Sequence, residues 1–382
     1  MIDGWVDPAF EALRDAFVGN FRDHGEVGAA CCLYVDGRAV ADLWGGIADP
    51  ATGRPWREDT IQLVFSTTKG VTATCANLLA QRGEIDLDAP VADYWPEFAA
   101  NGKEGVPVRW VLSHQAGLPV VEGDFTLDEV LAWHPVVEAL AAQAPLWEPG
   151  TGHGYHMRTY GWIVGEVVRR VTGRGLGAFV ADELAGPLGL DFWVGLPEEQ
   201  EVRCASVVPP RDADGQTQDV LALVPPDLLL ARAGTGPSGL FAYDETWNRR
   251  DVHAAEMPSS NGTGDARSLA RLYAALIGEV DGIRVLAPAM VAAAAAPQVR
   301  GADKVILVET SFGLGFMLPP SLVEGAAPGA FGHAGAGGSL SFADPDAGFA
   351  FSYVMNQMRF DLAGDPRAAS LVSAVYESLA LG

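Results

Sequence analysis

Phe10, Leu13, Phe17 and Phe21 recur at helical spacing, so the chain opens with an amphipathic helix that lays an aromatic stripe on a packing partner. The partner follows at once. Runs 29–35 and 38–44 are apolar and β-rich, and Asp36-Gly37 between them is a strong hairpin signal. Gly45-Gly46 and a Pro/Gly-rich stretch through Trp56 end this hairpin, and residues 61–65 lead into Ser66. The spacing then predicts a helix from near Thr67 through Arg82, stopped by Gly83.

From residue 85 to about 243 the texture changes to helices joined by Pro/Gly loops. Residues 108–112 read as a short helix before Gly117, and Thr126-Leu127-Asp128-Glu129 is a capping box opening a helix towards Ala144. Trp162, Ile163, Val167 and Val171 mark a helix over 158–171 closed by Gly173, another covers 177–188, and 197–244 is rich in loops. Strand texture then returns. Asp265 can cap a helix through Ile277, runs 305–309 and 313–318 read as strands, and 340–344 with 348–355 read as a hairpin turned by Pro345-Asp346. A last helix covers 366–381. Strands at both ends with helices between imply an α+β fold: one sheet built from both ends of the chain and an inserted helical lobe. The division expected is 1–85 with 245–382 as a discontinuous sheet-bearing domain and 86–244 as a mainly helical insertion.

Composition narrows the function classes. The chain has 382 residues, 49% of them hydrophobic and 19% charged, enough for a substantial core and a second lobe. A formal net charge of −24 excludes phosphate-backbone binding and adsorption to an anionic membrane, both of which need clustered Lys and Arg. No apolar run approaches the roughly 20 residues of a membrane span. The acidic start Met-Ile-Asp-Gly-Trp-Val-Asp-Pro lacks the charged-then-apolar pattern of a secretion signal, and Cys31, Cys32, Cys75 and Cys204 have no metal-ligand spacing. The expectation is a cytoplasmic protein whose cysteines are small buried hydrophobes.

Ser66 and Lys69 are the first candidates for chemistry. Three residues apart at the mouth of a helix, they share a face, so the Lys69 amine can reach the Ser66 hydroxyl. Ser-x-x-Lys is a nucleophile–base pattern. The chain prefers Arg elsewhere, with only three lysines among 25 basic residues, and Lys, unlike Arg, can lose its proton when buried. A helix start also offers unpaired N–H groups where negative charge develops on an oxygen. Two further stretches suit such a site. Gly152-His153-Gly154-Tyr155-His156-Met157 holds a phenol at a rim, and Phe331-Gly332-His333-Ala334-Gly335-Ala336-Gly337-Gly338 lets a ligand lie against backbone beside a strand. His114 reads as a structural histidine. His153 and His156 are three apart but lack a third ligand, so no metal is expected, and the Gly-rich run matches no nucleotide loop. No Gly-x-Ser-x-Gly occurs, which argues against an α/β-hydrolase.

Ser66-Thr67-Thr68-Lys69, then Tyr155-His156-Met157, then His333-Ala334-Gly335 resemble, in order, the three motifs of the serine β-lactamase and penicillin-binding-protein superfamily. Within it the chain looks most like the family VIII carboxylesterases, which have the class C β-lactamase fold. The likeness spans essentially the whole chain, including Leu112-Ser113-His114-Gln115-Ala116-Gly117-Leu118 and Ser260-Asn261-Gly262-Thr263-Gly264. It implies a β-lactamase-like fold, a central antiparallel sheet flanked by helices. It also implies Ser66 as nucleophile, Lys69 as its activating neighbour, Tyr155 as the acid/base shared with Lys69, and an oxyanion hole of the Ser66 and Ala336 N–H groups. His333, Gly335, Met157 and His156 are expected to line the substrate pocket. Met157 stands where the lactamase pattern has Asn, and His333 where it has Lys, which points from β-lactams towards neutral esters. The expected function is a serine carboxylesterase acting on small acyl esters through an acyl-Ser66 intermediate. No cofactor, metal, nucleic acid or membrane partner is implied, and the oligomeric state is left open. Alternatives are a β-lactamase, a D-amino-acid peptidase or amidase, an acyltransferase, and a non-catalytic ligand-binding relative.

Overall fold

The computed structural model describes residues 2–211, 221–360 and 364–381. At its centre six strands run β1 (Ile2–Val6), β2 (Gly28–Val35), β3 (Arg38–Asp49), β4 (Phe331–Ala334), β5 (Leu340–Asp344) and β6 (Phe349–Met355). Their spatial order is β1-β3-β2-β6-β5-β4, and Arg54–Pro55 adds a seventh strand on β3. Every pairing is antiparallel. The two ends of the chain meet at β2 and β6, where Leu33 faces Phe351 and Cys31 faces Tyr353.

Alternation along β2 feeds both faces of the sheet. Cys31 and Leu33 join Phe17 of α1 (Glu11–Asp23) and Leu371 and Val375 of the closing helix, while Ala30, Cys32 and Tyr34 join Leu269 and Tyr273 on the opposite face. The adjacent cysteines therefore lie in different layers, and all four cysteines are free and buried. On the second face packs α2 (Thr68–Gln81), buried without interruption from Thr68 to Leu79. Against it lie α3 (Thr159–Thr172) and α4 (Ala266–Ile277). The Asp265 side chain accepts the Ser268 N–H and caps α4 as its position predicts. The closing helix is α5 (Pro366–Leu381).

Four expectations need correction. β1 was not foreseen; its alternating exposure pairs it along β3 at the sheet edge, with Trp5 left half in solvent. The helix expected from the capping box to Ala144 is two helices, Leu127–Leu131 and His134–Ala142. Trp133 before the Pro135 turn takes φ +71, and its indole N–H, bonded to Glu166 at 2.8 Å, holds the break. Residues 305–309 and 313–318 are not strands. The strands are Val299–Ala302 and Glu309–Phe312, because Asp303 between them accepts the Val305 and Ile306 N–H groups and coils that segment into a turn. Residues 313–318 join the sheet by one isolated bridge, Met317 opposite Gly332, and pack on it through the Phe316 ring, 5.0 Å from that of Phe331. Within the loop-rich passage, Glu198–Arg203 and Leu229–Thr235 are helical turns, and 212–220 lie outside the described residues.

Candidate active site

Ser66 sits in the single turn Phe65–Thr67 that feeds α2. Phe65 takes φ +46, a strained conformation for a bulky residue, and is clamped edge-on by Trp247 at 4.9 Å and Tyr243 at 5.8 Å. One turn on, the Lys69 side chain is fully buried. Its Nζ lies 2.9 Å from Ser66 Oγ, 2.7 Å from the Met157 carbonyl and 3.1 Å from the Ser259 carbonyl. No carboxylate pairs with it among the described residues. Burial, and then the nearby Arg158 charge, push its pKa well below the usual lysine value. A neutral amine has two N–H groups and one lone pair, which matches two carbonyls and one hydroxyl. In that form the amine can turn its lone pair to the Ser66 hydroxyl, 2.9 Å away.

Tyr155 is brought to the other side of Ser66. Sequence reasoning put its phenol at a rim; the structure buries it, 7% exposed, with its ring stacked on Phe312 at 5.8 Å and His333 at 5.9 Å. Lys69 Nζ is 4.9 Å from the ring centre. The Tyr155 hydroxyl closes no hydrogen bond of normal geometry. Burial pushes its pKa up, and the adjoining Ser66 hydroxyl is the strongest opposing influence. The backbone holds the ring in place: the Tyr155 N–H is shared by both oxygens of buried Asp303 at 3.0 Å, and Thr310 and two further N–H groups bind the same carboxylate.

The third wall is the turn after β4. Gly335 packs so closely that an added Cβ would lie 2.1 Å from Ser339 Oγ and 2.4 Å from the Val64 carbonyl. Ser339 Oγ donates to that carbonyl at 2.8 Å and meets Thr67 Oγ1 at 3.0 Å, stapling this turn to the Ser66 turn. Buried Arg367 donates to the Gly337 carbonyl at 2.7 Å and fixes the turn from behind. No described hydrogen bond uses the backbone N–H of Ser66 or Ala336, and both residues line one cavity of about 150 Å3 with Tyr155, Met157, Arg158 and Gly335.

Two residues expected on the pocket wall are elsewhere. His156 is fully buried behind it: Nε2 accepts the Leu118 N–H at 2.9 Å and Nδ1 donates to the Gly154 carbonyl at 2.6 Å. Burial lowers its pKa to about 4, which keeps this tautomer neutral. His333 is equally buried under the Tyr155 ring, with its Nδ1 on the Ala334 carbonyl and its pKa lowered by burial to about 3. His114 accepts the His156 N–H at Nδ1, a structural part as expected. Sequence reasoning missed Asp303, the Ser259 carbonyl and Arg158. The first two act on or through backbone and carry no pattern; Arg158 was signalled only as a charge directly after Tyr155-His156-Met157.

Known proteins share the sequence and the fold. The chain is 38% identical to the esterase/beta-lactamase LipL of Mycobacterium tuberculosis over 362 residues, 93% of this chain and 83% of LipL. A solved family VIII carboxylesterase superposes with TM-score 0.88 at 40% identity, covering 99% of this chain and 100% of that one. A penicillin-binding-protein homologue from Caulobacter crescentus does so equally, with TM-score 0.88, 40% identity and the same coverage. With the Beta-lactamase family model matching residues 8–374, the chain belongs to the beta-lactamase family.

Proposed function

We propose that the protein is a serine carboxylesterase that hydrolyses small acyl esters through an acyl-Ser66 intermediate. The observation that carries this reading is Lys69: a buried amine with two carbonyls for its N–H groups and the Ser66 hydroxyl for its lone pair. Ser66 Oγ attacks the ester carbonyl carbon as Lys69 takes its proton, and the Ser66 and Ala336 N–H groups receive the oxyanion. The alcohol leaves with a proton delivered by Tyr155, which regains it from Lys69. Water then attacks the acyl-enzyme, giving its proton to the same pair, and the carboxylic acid leaves as Ser66 is restored.

Met157 and the buried His333 support esters over lactams, since neither presents an amide or a cation at the position the lactamase pattern provides. The esterase names of LipL and of the family VIII structure agree with this chemistry. Residues 86–244 are read as the lobe that delivers Tyr155 to a site otherwise carried by 1–85 and 245–382. Four unpaired buried cysteines support a cytoplasmic location, and no helix among the described residues is long and apolar enough to cross a membrane.

Wild type and Ser66→Ala are to be compared on a short-chain nitrophenyl ester and on a chromogenic cephalosporin, with mass spectrometry of the intact protein. The expected result is ester turnover and an acyl adduct on wild type alone, with the cephalosporin the poorer substrate. Undiminished esterase activity in Ser66→Ala would overturn the reading.

A further inference from the structure

Two arginines are deeply buried, and they are treated differently. Arg367 is paired with Glu26 and Asp365. Arg158 has no carboxylate partner among the described residues. Its Nε and Nη2 both donate to one acceptor, the Gly234 carbonyl, at 3.1 and 2.9 Å, and its Nη1 makes no hydrogen bond. Aromatic rings cover it instead, with the guanidinium carbon 4.6 Å from the Trp247 ring and 5.6 Å from that of Tyr243. Cation–π contact offsets part of the cost of burying a charge but supplies no hydrogen-bond acceptor. Arg158 is 5% exposed and is one of the residues that line the Ser66 cavity.

Two spaces of different size meet at the Ala334–Ala336 turn. The cavity holding Ser66 and Arg158 measures about 150 Å3, which if rounded is about 6.6 Å across. Beyond Met317 and Ala336 opens a groove of about 1160 Å3, lined by Ile306, Val308, Leu318, Leu322 and Val323. An ester bound at Ser66 has a part for each. The small space fits a short chain and has the Arg158 cation in its wall; the large one is lined more by apolar than by polar groups, with Arg300, Glu309 and Glu324 among the charged ones.

On the reading of Ser66 as the acylated residue, we propose that Arg158 is a substrate-recognition residue: the enzyme takes monoesters of short dicarboxylic acids, with the free carboxylate of the acyl chain on Arg158 and a bulky apolar alcohol in the groove. The acyl chain stays on Ser66 while the alcohol departs through the wider opening, so the carboxylate pair persists through both halves of the reaction. In the free enzyme the same unpaired charge adds to burial in lowering the Lys69 pKa, and it opposes in small part the rise that burial imposes on Tyr155.

The test compares two nitrophenyl esters of five-carbon acids, the monoester of glutarate and the ester of valerate, after subtraction of spontaneous hydrolysis. Wild type is expected to prefer the glutarate monoester in kcat/KM, and Arg158→Met to lower that preference about 10- to 100-fold, the worth of one charge-assisted hydrogen-bonded pair. Arg158→Lys is expected to keep part of it. A second readout needs no variant: free glutarate inhibits wild-type turnover of the valerate ester competitively and at least about tenfold more strongly than valeramide. Equal handling of both esters by wild type, or an Arg158→Met loss identical for the two with a displaced pH profile, would overturn the proposal and leave Arg158 as a charge acting only on Lys69. Absence of an acyl-Ser66 adduct in wild type with either ester is a separate outcome, and it refutes the acyl-enzyme reading itself together with this proposal.

Discussion

Gly335→Ala is a one-carbon change whose effect is fixed by contacts already on the page. A Cβ at 335 meets Ser339 Oγ at 2.1 Å and the Val64 carbonyl oxygen at 2.4 Å, whereas ordinary contact begins at 3.4 Å. Ser339 Oγ can rotate away, but it then loses its bonds to the Val64 carbonyl and Thr67 Oγ1, at about 1 kcal/mol each. The Val64 carbonyl is backbone, two residues before Ser66, and has to move by about 1.0 Å, the difference between 3.4 and 2.4 Å. With the strain of overpacking, the total destabilisation is about 3 kcal/mol. At about 2.1 cal/mol/K per residue, 382 residues give an unfolding entropy of about 0.8 kcal/mol/K and hence a Tm lowered by about 4 °C. Catalysis is hit harder, because the shift separates the Ser66 turn from the Ala336 turn. Displacements of about 1 Å cost about 100-fold in rate. Steady-state kinetics on a nitrophenyl ester should show kcat down by that order with KM little changed, in a protein still folded by calorimetry. Wild-type kcat in Gly335→Ala would show that the two turns do not jointly form the site.

Asp303→Asn turns one acceptor on the Tyr155 N–H and Thr310 into a donor, so kcat should fall about tenfold and urea-measured stability by about 1.5–3 kcal/mol, while an unchanged kcat would remove Asp303 from the positioning of Tyr155. His156 supplies a pH test. It is neutral in the fold with a pKa of about 4, against 6.5 when unfolded, so between those values the unfolded chain binds the extra proton and stability is lost as pH falls. From pH 7.5 to 5 wild type should lose about 2 kcal/mol more than His156→Gln, whose amide oxygen can still take the Leu118 N–H. Groups remote from His156 behave alike in both proteins and cancel in that difference, and His114, which also feels the His156 charge, has its pKa lowered mainly by burial, which both proteins share; equal losses in urea titrations would refute the assigned tautomer.

What could be read in advance follows from the range over which each signal acts. Asp36-Gly37 and Asp265 announce a turn and a cap through their own backbone, and the hairpin and the start of α4 form there. The Ser66–Lys69 spacing is also local, one turn of helix, and the two side chains meet at 2.9 Å. The stretches holding Tyr155 and Ala336 were legible as suiting such a site, and the roles of the two residues came from motifs that resemble known ones; their convergence depends on contacts between residues tens to hundreds of positions apart. Where the reading failed, the deciding partner was distant or was backbone. Glu166 holds the break at Trp133, Asp303 turns a hydrophobic run out of a strand, and the Leu118 N–H draws His156 behind the wall. Composition even pointed the wrong way for Arg158: a chain of net charge −24 has acidic residues to spare, and yet this guanidinium is given none. A buried charge left unpaired amid such a surplus marks the position where the missing anion is a ligand's, a conclusion that needs both the sequence, for the surplus, and the fold, for its absence at that site.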